Sequence, residues 1–393
     1  MTGHFARGDV VKAATQFTNE CMFRITVVFL VLCVHGLVSK GSAQTDRLQG
    51  IGVSLAGPEF GGDKTTFCNL RPGVVDVDYV FPKEETVQFF AGQGADFLRL
   101  PIRWERLQSQ PGGSLDESYL KHILVFCDFA RKHKIGVLVD LHNYGRYRRK
   151  SNGAVQAIVI DQKVDGQIPV SRDHFADLWR RLATRLALHQ AVIGYGLMNE
   201  PHDMGDSDWK AISQTAVDSI RTVDRRTTIV VAGDQWSSAV NFAEANGARA
   251  WISDLIGPIV YEAHLYFDSD AAGKYQRSFA TEAKLDRNLG NRADLRINPF
   301  LQWCQKNSVR GILGEVGSPA DLRWKPLLQT AASRCLKQDV PVCYWAAGPW
   351  WDQYPLSIQP KDNQPAAQWR WLLETKQKSP EHLPRNLLSD HEE

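Results

Sequence analysis

The feature that most constrains this chain is a short apolar run that recurs eight times along it. Each run ends in polar residues or glycine, and segments with helical periodicity separate the runs. The runs cover residues 51–55, 97–100, 136–140, 193–198, 228–232, 259–263, 311–314 and 341–345. Eight strands that alternate with helices over about 300 residues favour a single-domain (β/α)8 barrel over a doubly wound sheet.

Three of the separating segments have clear helical patterns, at residues 119–133, 173–189 and 208–223. Residues 114–117 (Ser-Leu-Asp-Glu) precede the first of them and predict a capping box at its start. A barrel of this kind carries its catalytic residues just after the carboxyl ends of its strands, so any catalytic residues are expected at those positions.

Two glutamates stand at such positions. Glu200 follows the fourth run in the sequence Asn199-Glu200-Pro201, and Glu315 follows the seventh run. Because parallel barrel strands open onto one bowl, the two carboxylates can face each other. A facing pair is what cleavage of a glycosidic bond requires, since one carboxyl protonates the leaving oxygen and the other meets the developing positive charge. Taken singly, either glutamate could instead cap a helix or form an ion pair.

The residues at the other strand ends complete a recognisable set. The motifs are Arg99-Leu100-Pro101-Ile102-Arg103-Trp104, Asp140-Leu141-His142-Asn143-Tyr144, Asn199-Glu200-Pro201, His264-Leu265-Tyr266, Glu315 after an apolar strand, and Trp345 in Tyr-Trp-Ala-Ala-Gly. In this order, over roughly residues 51–373, they resemble glycoside hydrolase family 5. More narrowly, the chain resembles the endo-β-1,4-glucanases of fungi and some bacteria.

The resemblance implies a role for each residue. Glu200 would be the acid/base and Glu315 the nucleophile of a double displacement that retains the anomeric configuration, without metal or organic cofactor. The supporting or substrate-binding residues would be Arg99, His142, Asn199, His264, Tyr266, Trp345 and Trp236. For Arg99, Tyr266 and the two histidines, a buried hydrogen-bond network without substrate contact is the alternative. A metal site at the histidines is disfavoured, because no third ligand recurs at a suitable spacing.

Aromatic residues form the next group of candidates, because sugar rings stack on aromatic faces. Trp345 resembles the family's platform beneath the sugar at the cleavage point, and Trp236 could stack on a neighbouring sugar or be buried in the barrel shell. Trp350 and Trp351 could line further subsites or cap the barrel rim. Trp104 is predicted to be a packing residue.

The stretch 145–170 after the third run is longer than a usual βα loop and begins with the basic sequence Gly-Arg-Tyr-Arg-Arg-Lys. Residues 157–160 followed by Gly166 suggest a small hairpin at the rim. Its charges are either solvated or border the cleft, where they would favour a decorated or acidic polysaccharide.

The N-terminus predicts export. The apolar run 25–38 follows Arg24 and precedes Gly41-Ser42-Ala43, which is typical of a signal peptide, with a retained membrane anchor as the rival interpretation. Translation could start at Met1 or at Met22. We therefore expect a signal with leader over 1–43, a catalytic domain over 44–375 and a flexible tail over 376–393 in a secreted, extracellular or periplasmic protein.

Cysteine and charge counts limit the remaining possibilities. Five cysteines follow the predicted signal; Cys127 lies on an apolar helical stripe, and Cys304, Cys335 and Cys343 are close enough in sequence to offer one disulfide, with Cys68 as the fifth. Lys and Arg number 46 against 44 Asp and Glu, so no basic excess suggests nucleic acid.

The expected partner is a β-1,4-glucan bound by a monomer. The alternatives are β-mannan, xyloglucan or mixed-linkage glucan as substrate, or a barrel that only binds polysaccharide.

Overall fold

The computed structural model describes residues 48–151, 153–351 and 353–377. The predicted signal with its two candidate start sites lies outside these residues, as does the predicted tail from residue 378 onward. Within the described ranges, no helix combines the length and the apolar character that crossing a bilayer demands.

Eight parallel strands close into a barrel, and two further strands form a separate hairpin. The strands are β1 (Ile51–Leu55), β2 (Phe97–Ile102), β3 (Gly136–Leu141), β4 (Arg146–Ser151), β5 (Ala154–Val159), β6 (Val192–Gly196), β7 (Thr228–Ala232), β8 (Ile259–Tyr266), β9 (Arg310–Gly317) and β10 (Val342–Ala347). The barrel order is β1-β10-β9-β8-β7-β6-β3-β2, and β1 pairs with β2 to close it. The predicted (β/α)8 barrel is confirmed, and all eight predicted strands are present.

Helices surround the barrel and connect its strands. They are α1 (Glu84–Gly92), α2 (Trp104–Leu107), α3 (Glu117–Lys132), α4 (Arg172–Leu186), α5 (Trp209–Arg221), α6 (Phe242–Asn246), α7 (Phe279–Leu285), α8 (Arg292–Asn307), α9 (Lys325–Leu336) and α10 (Ala367–Gln377). The predicted cap of α3 is wrong by two residues. Asp116 is the N-cap and accepts from the backbone N–H of Tyr119, because only the residue directly before the first turn reaches that group.

The barrel interior is built in layers by the two-residue period of the strands. The lowest layer is an apolar cluster to which β2, β3, β6, β7, β8, β9 and β10 each contribute one residue: Phe97, Leu138, Ile193, Val230, Val260, Ile312 and Cys343. Two residues further along their strands, Arg99, Asp140 and Glu262 form a buried charged layer. The active-site candidates lie at and above this second layer.

A hairpin follows β3, but it lies earlier in the chain than the prediction from residues 157–160 and Gly166. The basic run itself forms the first strand, and β4 pairs antiparallel with β5 from Arg146–Val159 to Ser151–Ala154. Tyr147 explains this arrangement: it is fully buried against Trp104, with ring centroids 5.1 Å apart, so its neighbours in the strand must face outward.

All five cysteines of the described residues are free, buried thiols, so the predicted possibility of a disulfide is wrong. Cys343 belongs to the apolar layer inside the barrel, whereas Cys304 and Cys335 lie on helices outside it. Burial raises the pKa of the Cys304 thiol to about 12, which keeps it protonated and inert.

The C-terminal helix passes the predicted domain boundary at residue 375. Helix α10 ends at Gln377, and Lys376 Nζ lies 2.6 Å from Asp96 Oδ1 at the end of the α1–β2 connection. Helix α10 therefore includes two residues, 376 and 377, that the sequence analysis assigned to the tail.

Candidate active site

The predicted site residues come together at the carboxyl end of the barrel. Their positions are Arg99 on β2, His142 directly after β3, Asn199 and Glu200 after β6, His264 and Tyr266 on β8, Glu315 on β9 and Trp345 on β10. Trp236 follows β7 and lies at the rim. The parallel strands explain the convergence, because they point all these side chains or loops into one bowl.

The two glutamates are close neighbours. One carboxylate oxygen of Glu200, one of Glu315 and one ring nitrogen of His264 all lie within 4.8 Å of one another. Glu315 is 3% exposed, whereas the Glu200 side chain is 17% exposed toward the bowl. Glu200 has a left-handed backbone (φ 45°), which is unusual for a residue other than glycine and aims its side chain inward just before Pro201.

Glu315 is held at both oxygens. The Arg99 guanidinium donates from Nη1 to Oε1 at 3.0 Å, and the Tyr266 hydroxyl donates to Oε2 at 2.7 Å. Burial raises the pKa of Glu315; the positive charges of His264 and Arg99 and the Tyr266 hydroxyl oppose that rise, whereas the charge of Glu200 adds to it. The balance makes Glu315 a fixed and strongly hydrogen-bonded carboxyl group.

Asn199 and His142 form an oriented chain beside this pair. The Asn199 carbonyl oxygen accepts from Arg99 Nη2 at 2.7 Å, so its amide nitrogen faces His142 Nε2 at 3.3 Å. His142 Nδ1 is 3.0 Å from Asp140 Oδ2. Burial, followed by the charges of Arg99 and Arg103, lowers the pKa of His142 well below its ordinary value, so this imidazole is neutral. Asn199 is thereby fixed in one amide orientation.

The candidate aromatics occupy different environments. Trp345 is 9% exposed and stacks parallel on His142, with ring centroids 5.2 Å apart, and its peptide bond to Ala346 is cis. Trp236 is 44% exposed, so burial in the shell does not apply, and it stacks on His202 at 4.4 Å. Trp104 is fully buried, as expected of a packing residue.

Trp350 and Trp351 lie on the opposite side of the rim. Trp350 is 44% exposed, and its ring centroid lies 6.1 Å from that of Phe60. Trp351 is half-buried between Phe60 and Trp345, with centroids at 5.1 and 5.5 Å. Trp351 thus supports Trp345, and Trp350 extends the aromatic surface outward.

A cleft of about 730 Å³ opens beside Glu200. Its walls come from the chain segments that follow β6, β7 and β8, from Tyr266 at the end of β8 and from Arg296 on α8. The lining residues are Glu200, Gln235, Trp236, Ser238, Val240, Asn241, Tyr266, Ser269, Asp270, Ala271, Ala272, Lys274 and Arg296. Three successive residues, Gln235 to Ser237, have left-handed backbone angles, which turn the Trp236 ring out of the loop and toward the cleft. The cleft combines polar side chains with the exposed aromatic face of Trp236, which suits a hydroxyl-rich chain.

The group Glu200, His264 and Glu315 has the spacing of a metal site but is already engaged within the protein. His264 Nδ1 faces Glu200 Oε1 at 2.7 Å, and the oxygens of Glu315 accept from Arg99 and Tyr266. The arrangement is that of an ion-paired carboxylate site, which suits proton transfer and nucleophilic attack.

The basic hairpin contributes less to the cleft than its charge suggests. Arg146 donates to the carbonyl oxygens of Tyr144 and Asp203, and Arg148 donates to that of Gly62. Two of its cations therefore hold the loops together, and neither lines the cleft.

Sequence reasoning missed Asp140 and Glu262 as residues of the site. Both are buried: Glu262 lies two residues before His264 on β8, and Asp140 on β3 lies two residues before His142, which directly follows that strand. The signal was present, because a two-residue step keeps side chains on one face of a strand. An acid inside an apolar run, two positions before a candidate histidine, would have been sufficient to identify both residues as part of the site.

Known proteins share this architecture. A model of the cellulase family, glycosyl hydrolase family 5, matches residues 62–349. A probable endo-β-1,4-glucanase B of Aspergillus niger is 29% identical over 349 residues, covering 87% of this chain and 93% of that protein. The crystal structure of Pseudomonas stutzeri endoglucanase Cel5A with cellobiose has a TM-score of 0.71 at 32% identity, covering 83% of this chain and 91% of that chain. An endo-β-1,4-glucanase of Xanthomonas axonopodis pv. citri has a TM-score of 0.71 at 31% identity, covering 84% and 98%.

Proposed function

Since this chain belongs to the cellulase family, glycosyl hydrolase family 5, we propose that it is a secreted endo-β-1,4-glucanase that cleaves internal bonds with retention of configuration. The family makes it a glycoside hydrolase of the cellulase type. The observation that carries the finer proposal is the pair of carboxylates, Glu200 and Glu315, whose nearest oxygens lie within 4.8 Å beside an open cleft.

The spacing of the two carboxyl groups favours retention. Retaining enzymes place them about 5–5.5 Å apart, whereas inverting enzymes leave about 6.5–9.5 Å for an intervening water. In the proposed first step, Glu315 attacks the anomeric carbon while Glu200 gives its proton to the leaving oxygen. In the second step, Glu200 takes a proton from water, which displaces Glu315 from the sugar.

Glu200 and Glu315 suit these different roles because their surroundings differ. Arg99 and Tyr266 fix both oxygens of Glu315, which positions it for attack along one direction. Glu200 is more exposed and faces the cleft, where a leaving sugar and later a water can reach it. The free amide hydrogen of Asn199 is available to the sugar 2-hydroxyl in this arrangement.

Internal cleavage of β-1,4-glucan is supported by the cleft and by the relatives. The cleft lies at the rim beside Glu200 and is lined by loop residues, which favours a substrate that enters from the side over one threaded by its end. The relatives from Aspergillus niger and Pseudomonas stutzeri are named as an endo-β-1,4-glucanase and an endoglucanase. Every proposed catalytic residue comes from one chain, so a monomer is sufficient.

Export follows from the substrate and from the sequence. An insoluble or very long glucan cannot enter a cell, so an enzyme that cleaves it internally has to act outside the membrane. The apolar segment 25–38, followed by Gly41-Ser42-Ala43, supplies the proposed signal.

The test is to follow viscosity and reducing ends together on carboxymethyl cellulose, with glucomannan and xyloglucan in parallel. We expect a rapid loss of viscosity per reducing end on the cellulose derivative, and a β-anomer as the first product by NMR. An α-anomer would disprove retention. Activity confined to glucomannan or xyloglucan would disprove the substrate, and no activity on any polymer would favour a barrel that only binds polysaccharide.

A further inference from the structure

Two buried acids lie beneath the two active-site histidines in the same relative position. Asp140 on β3 lies two residues before His142, which follows the strand, and Glu262 lies two residues before His264 on β8. Asp140 Oδ2 is 3.0 Å from His142 Nδ1, and Glu262 Oε1 is 3.2 Å from His264 Nε2. Both acids also contact Arg99 Nη2, at 3.1 and 3.5 Å.

The neighbouring strands leave space for both acids. A Cβ added to Gly196 would come within 2.9 Å of Asp140 Oδ1, and one added to Gly314 would come within 1.8 Å of Glu262 Oε1. The two glycines therefore belong to the same arrangement as the acids. An interior layer of this kind is costly to bury, which calls for a function other than packing.

The hydrogen-bond partners give the two histidines different charges. His264 faces carboxylates with both ring nitrogens, Glu200 at Nδ1 and Glu262 at Nε2, and only an imidazolium donates from both. His142 faces the amide nitrogen of Asn199 with Nε2, which must then accept, so its single proton lies on Nδ1 toward Asp140.

From this asymmetry we infer that Glu262 is a positioning residue that keeps His264 as an imidazolium between the two proposed catalytic carboxylates. The inference rests on the roles proposed above for Glu200 and Glu315. His264 Nδ1 lies 2.7 Å from Glu200 Oε1 and 3.6 Å from Glu315 Oε2, so its charge acts on both. Glu262 acts on the substrate only through His264 and Arg99.

The charge balance of the cluster agrees. The charged and titratable groups around His264 are Glu262 and Tyr266 on β8, Glu200 after β6, Glu315 on β9, Arg99 on β2, Asp140 on β3 and His142 just after β3. With two cations and four acids, the cluster is neutral when two of the acids hold protons. Asp140, whose pKa is raised by burial, is one of these acids.

The pKa values point in the same direction. Burial by itself would lower the pKa of His264, but Glu315, Glu200 and Glu262 together raise it to about 10. Burial would raise the pKa of Glu262, yet Arg99 and His264 hold it below its ordinary value. For Asp140, burial dominates and raises the pKa well above its ordinary value. Glu262 therefore loses its proton more readily than Asp140 does.

The decisive measurement is NMR of the full chain with ¹⁵N-labelled histidine, with the His264 signal assigned from a His264→Gln variant. At about pH 8, well above the ordinary histidine pKa of about 6.5, both ring nitrogens of His264 should still carry protons. A neutral His264 in the wild-type protein would overturn the inference. This measurement does not depend on any Glu262 variant, so it remains decisive even if Glu262→Gln fails to fold.

Glu262→Gln and Asp140→Asn form a matched pair, since both change a buried acid that contacts Arg99. In Glu262→Gln, the His264 titration and the alkaline limb of kcat/KM should move to lower pH by at least about one unit. In Asp140→Asn, neither position should move, whatever happens to the rate. Equal shifts in the two variants, or none in Glu262→Gln, would overturn the inference. Failure of the wild type to hydrolyse any glucan would instead count against the proposed function, and the NMR result would stand separately.

Discussion

The two inner layers of the barrel use the same strands for opposite purposes. The lower layer, with Phe97, Leu138 and Val260, is wholly apolar and fully buried. The upper layer, with Arg99, Asp140 and Glu262 two residues further on, is equally buried but charged. One two-residue step along the strands thus separates an apolar core layer from a layer of buried ionisable groups.

The difference shows that the lower layer stabilises the fold, whereas the upper layer serves function at a cost in stability. Burying apolar side chains contributes free energy, whereas burying charges costs it unless each is paired. In the upper layer the pairing is incomplete: Asp140 Oδ1 and Glu262 Oε2 find no hydrogen-bond partner among the described residues. Substitutions in the upper layer should therefore change chemistry more than stability, and those in the lower layer the reverse.

Glu315→Gln should have the largest effect on chemistry. Without the nucleophile, turnover of a soluble glucan should fall on the order of 10³-fold or more. The thermal midpoint should stay within a few degrees of the wild type, because Arg99 keeps its contacts with Asp140 and Glu262. Initial rates and calorimetry check the two halves. Unimpaired turnover would remove Glu315 from its proposed role, and loss of folding would contradict the division between layers.

Phe97→Ala tests the lower layer. The Phe97 ring fills space that Gly52 leaves open, since a Cβ there would lie 2.5 Å from the ring. Removing the ring should lower the free energy of unfolding by about 3–5 kcal/mol, measured by urea denaturation. The kcat per folded molecule should match the wild type. A large loss of kcat in the folded variant would mean that the layers are coupled.

Sequence patterns predicted the barrel because each strand is buried on both faces and reads as an apolar run. They placed strand ends less well. Strands β8 and β9 continue to Tyr266 and Gly317, beyond the predicted ends at 263 and 314. The site residues His264 and Glu315 belong to the strands themselves. The apolar run ends before them, but the backbone pairing of the two strands continues past them.

The candidate site was predictable residue by residue, but its interior support was not. His264 and Glu315 stand in motifs, whereas the importance of Glu262 depends on which groups the neighbouring strands bring to it. That depends on register, including the irregularity between Ala263 and His264 that pairs His264 with Glu315. Local patterns do not determine such a register.

Glu59→Gln tests whether ionisation of a buried acid outside the proposed catalytic pair lowers the stability of the protein. Burial raises the pKa of Glu59 to about 7, against the backbone N–H of Gly57 and the charges of Arg103 and Arg106. Relative to an ordinary value of 4.5, that corresponds to about 3 kcal/mol of stability that is present below pH 4.5 and lost by about pH 7.

The Glu59→Gln variant, which keeps an acceptor for Gly57 but has no charge to bury, should therefore gain on the wild type as the pH rises from 4.5 to 7. Thermal unfolding across that range measures the difference. The exposed Glu117, whose pKa is lowered by Arg185, is the control: because Glu117 is already ionised above pH 4.5, Glu117→Gln should lie slightly below the wild type and run parallel to it across this range. Parallel curves for Glu59→Gln and the wild type would show that Glu59 is ionised at no cost.

Tyr266→Phe removes one hydrogen bond to Glu315 and leaves the aromatic ring in place. A hydrogen bond to a charged group is worth about 1.5–3 kcal/mol, so kcat/KM should fall roughly 10- to 100-fold. The Tyr266 hydroxyl lowers the pKa of Glu315, so its loss should raise that pKa and move the acid limb of the pH profile to higher pH.

Tyr261→Phe is the matched control on the same strand. The Tyr261 hydroxyl accepts from the backbone N–H groups of Trp251 and Ile252, outside the barrel. Its loss should reduce stability without moving either limb of the pH profile. An equal shift in both variants would show that the Tyr266 effect is structural rather than electrostatic.

Trp236→Ala should have the smallest effect. It extends the comparison between functional and packing residues from the barrel interior to the rim. Trp236 and Trp350 are both 44% exposed, but only Trp236 lines the cleft beside Glu200. Loss of a stacking face worth about 0.5–1.5 kcal/mol should raise KM for long cello-oligosaccharides about two- to tenfold and leave kcat nearly unchanged. Trp350→Ala should change KM less, because Trp350 packs on Phe60 away from that cleft. If the two variants raise KM equally, the glucan runs across both sides of the rim, and equal exposure rather than proximity to Glu200 decides which aromatics bind it.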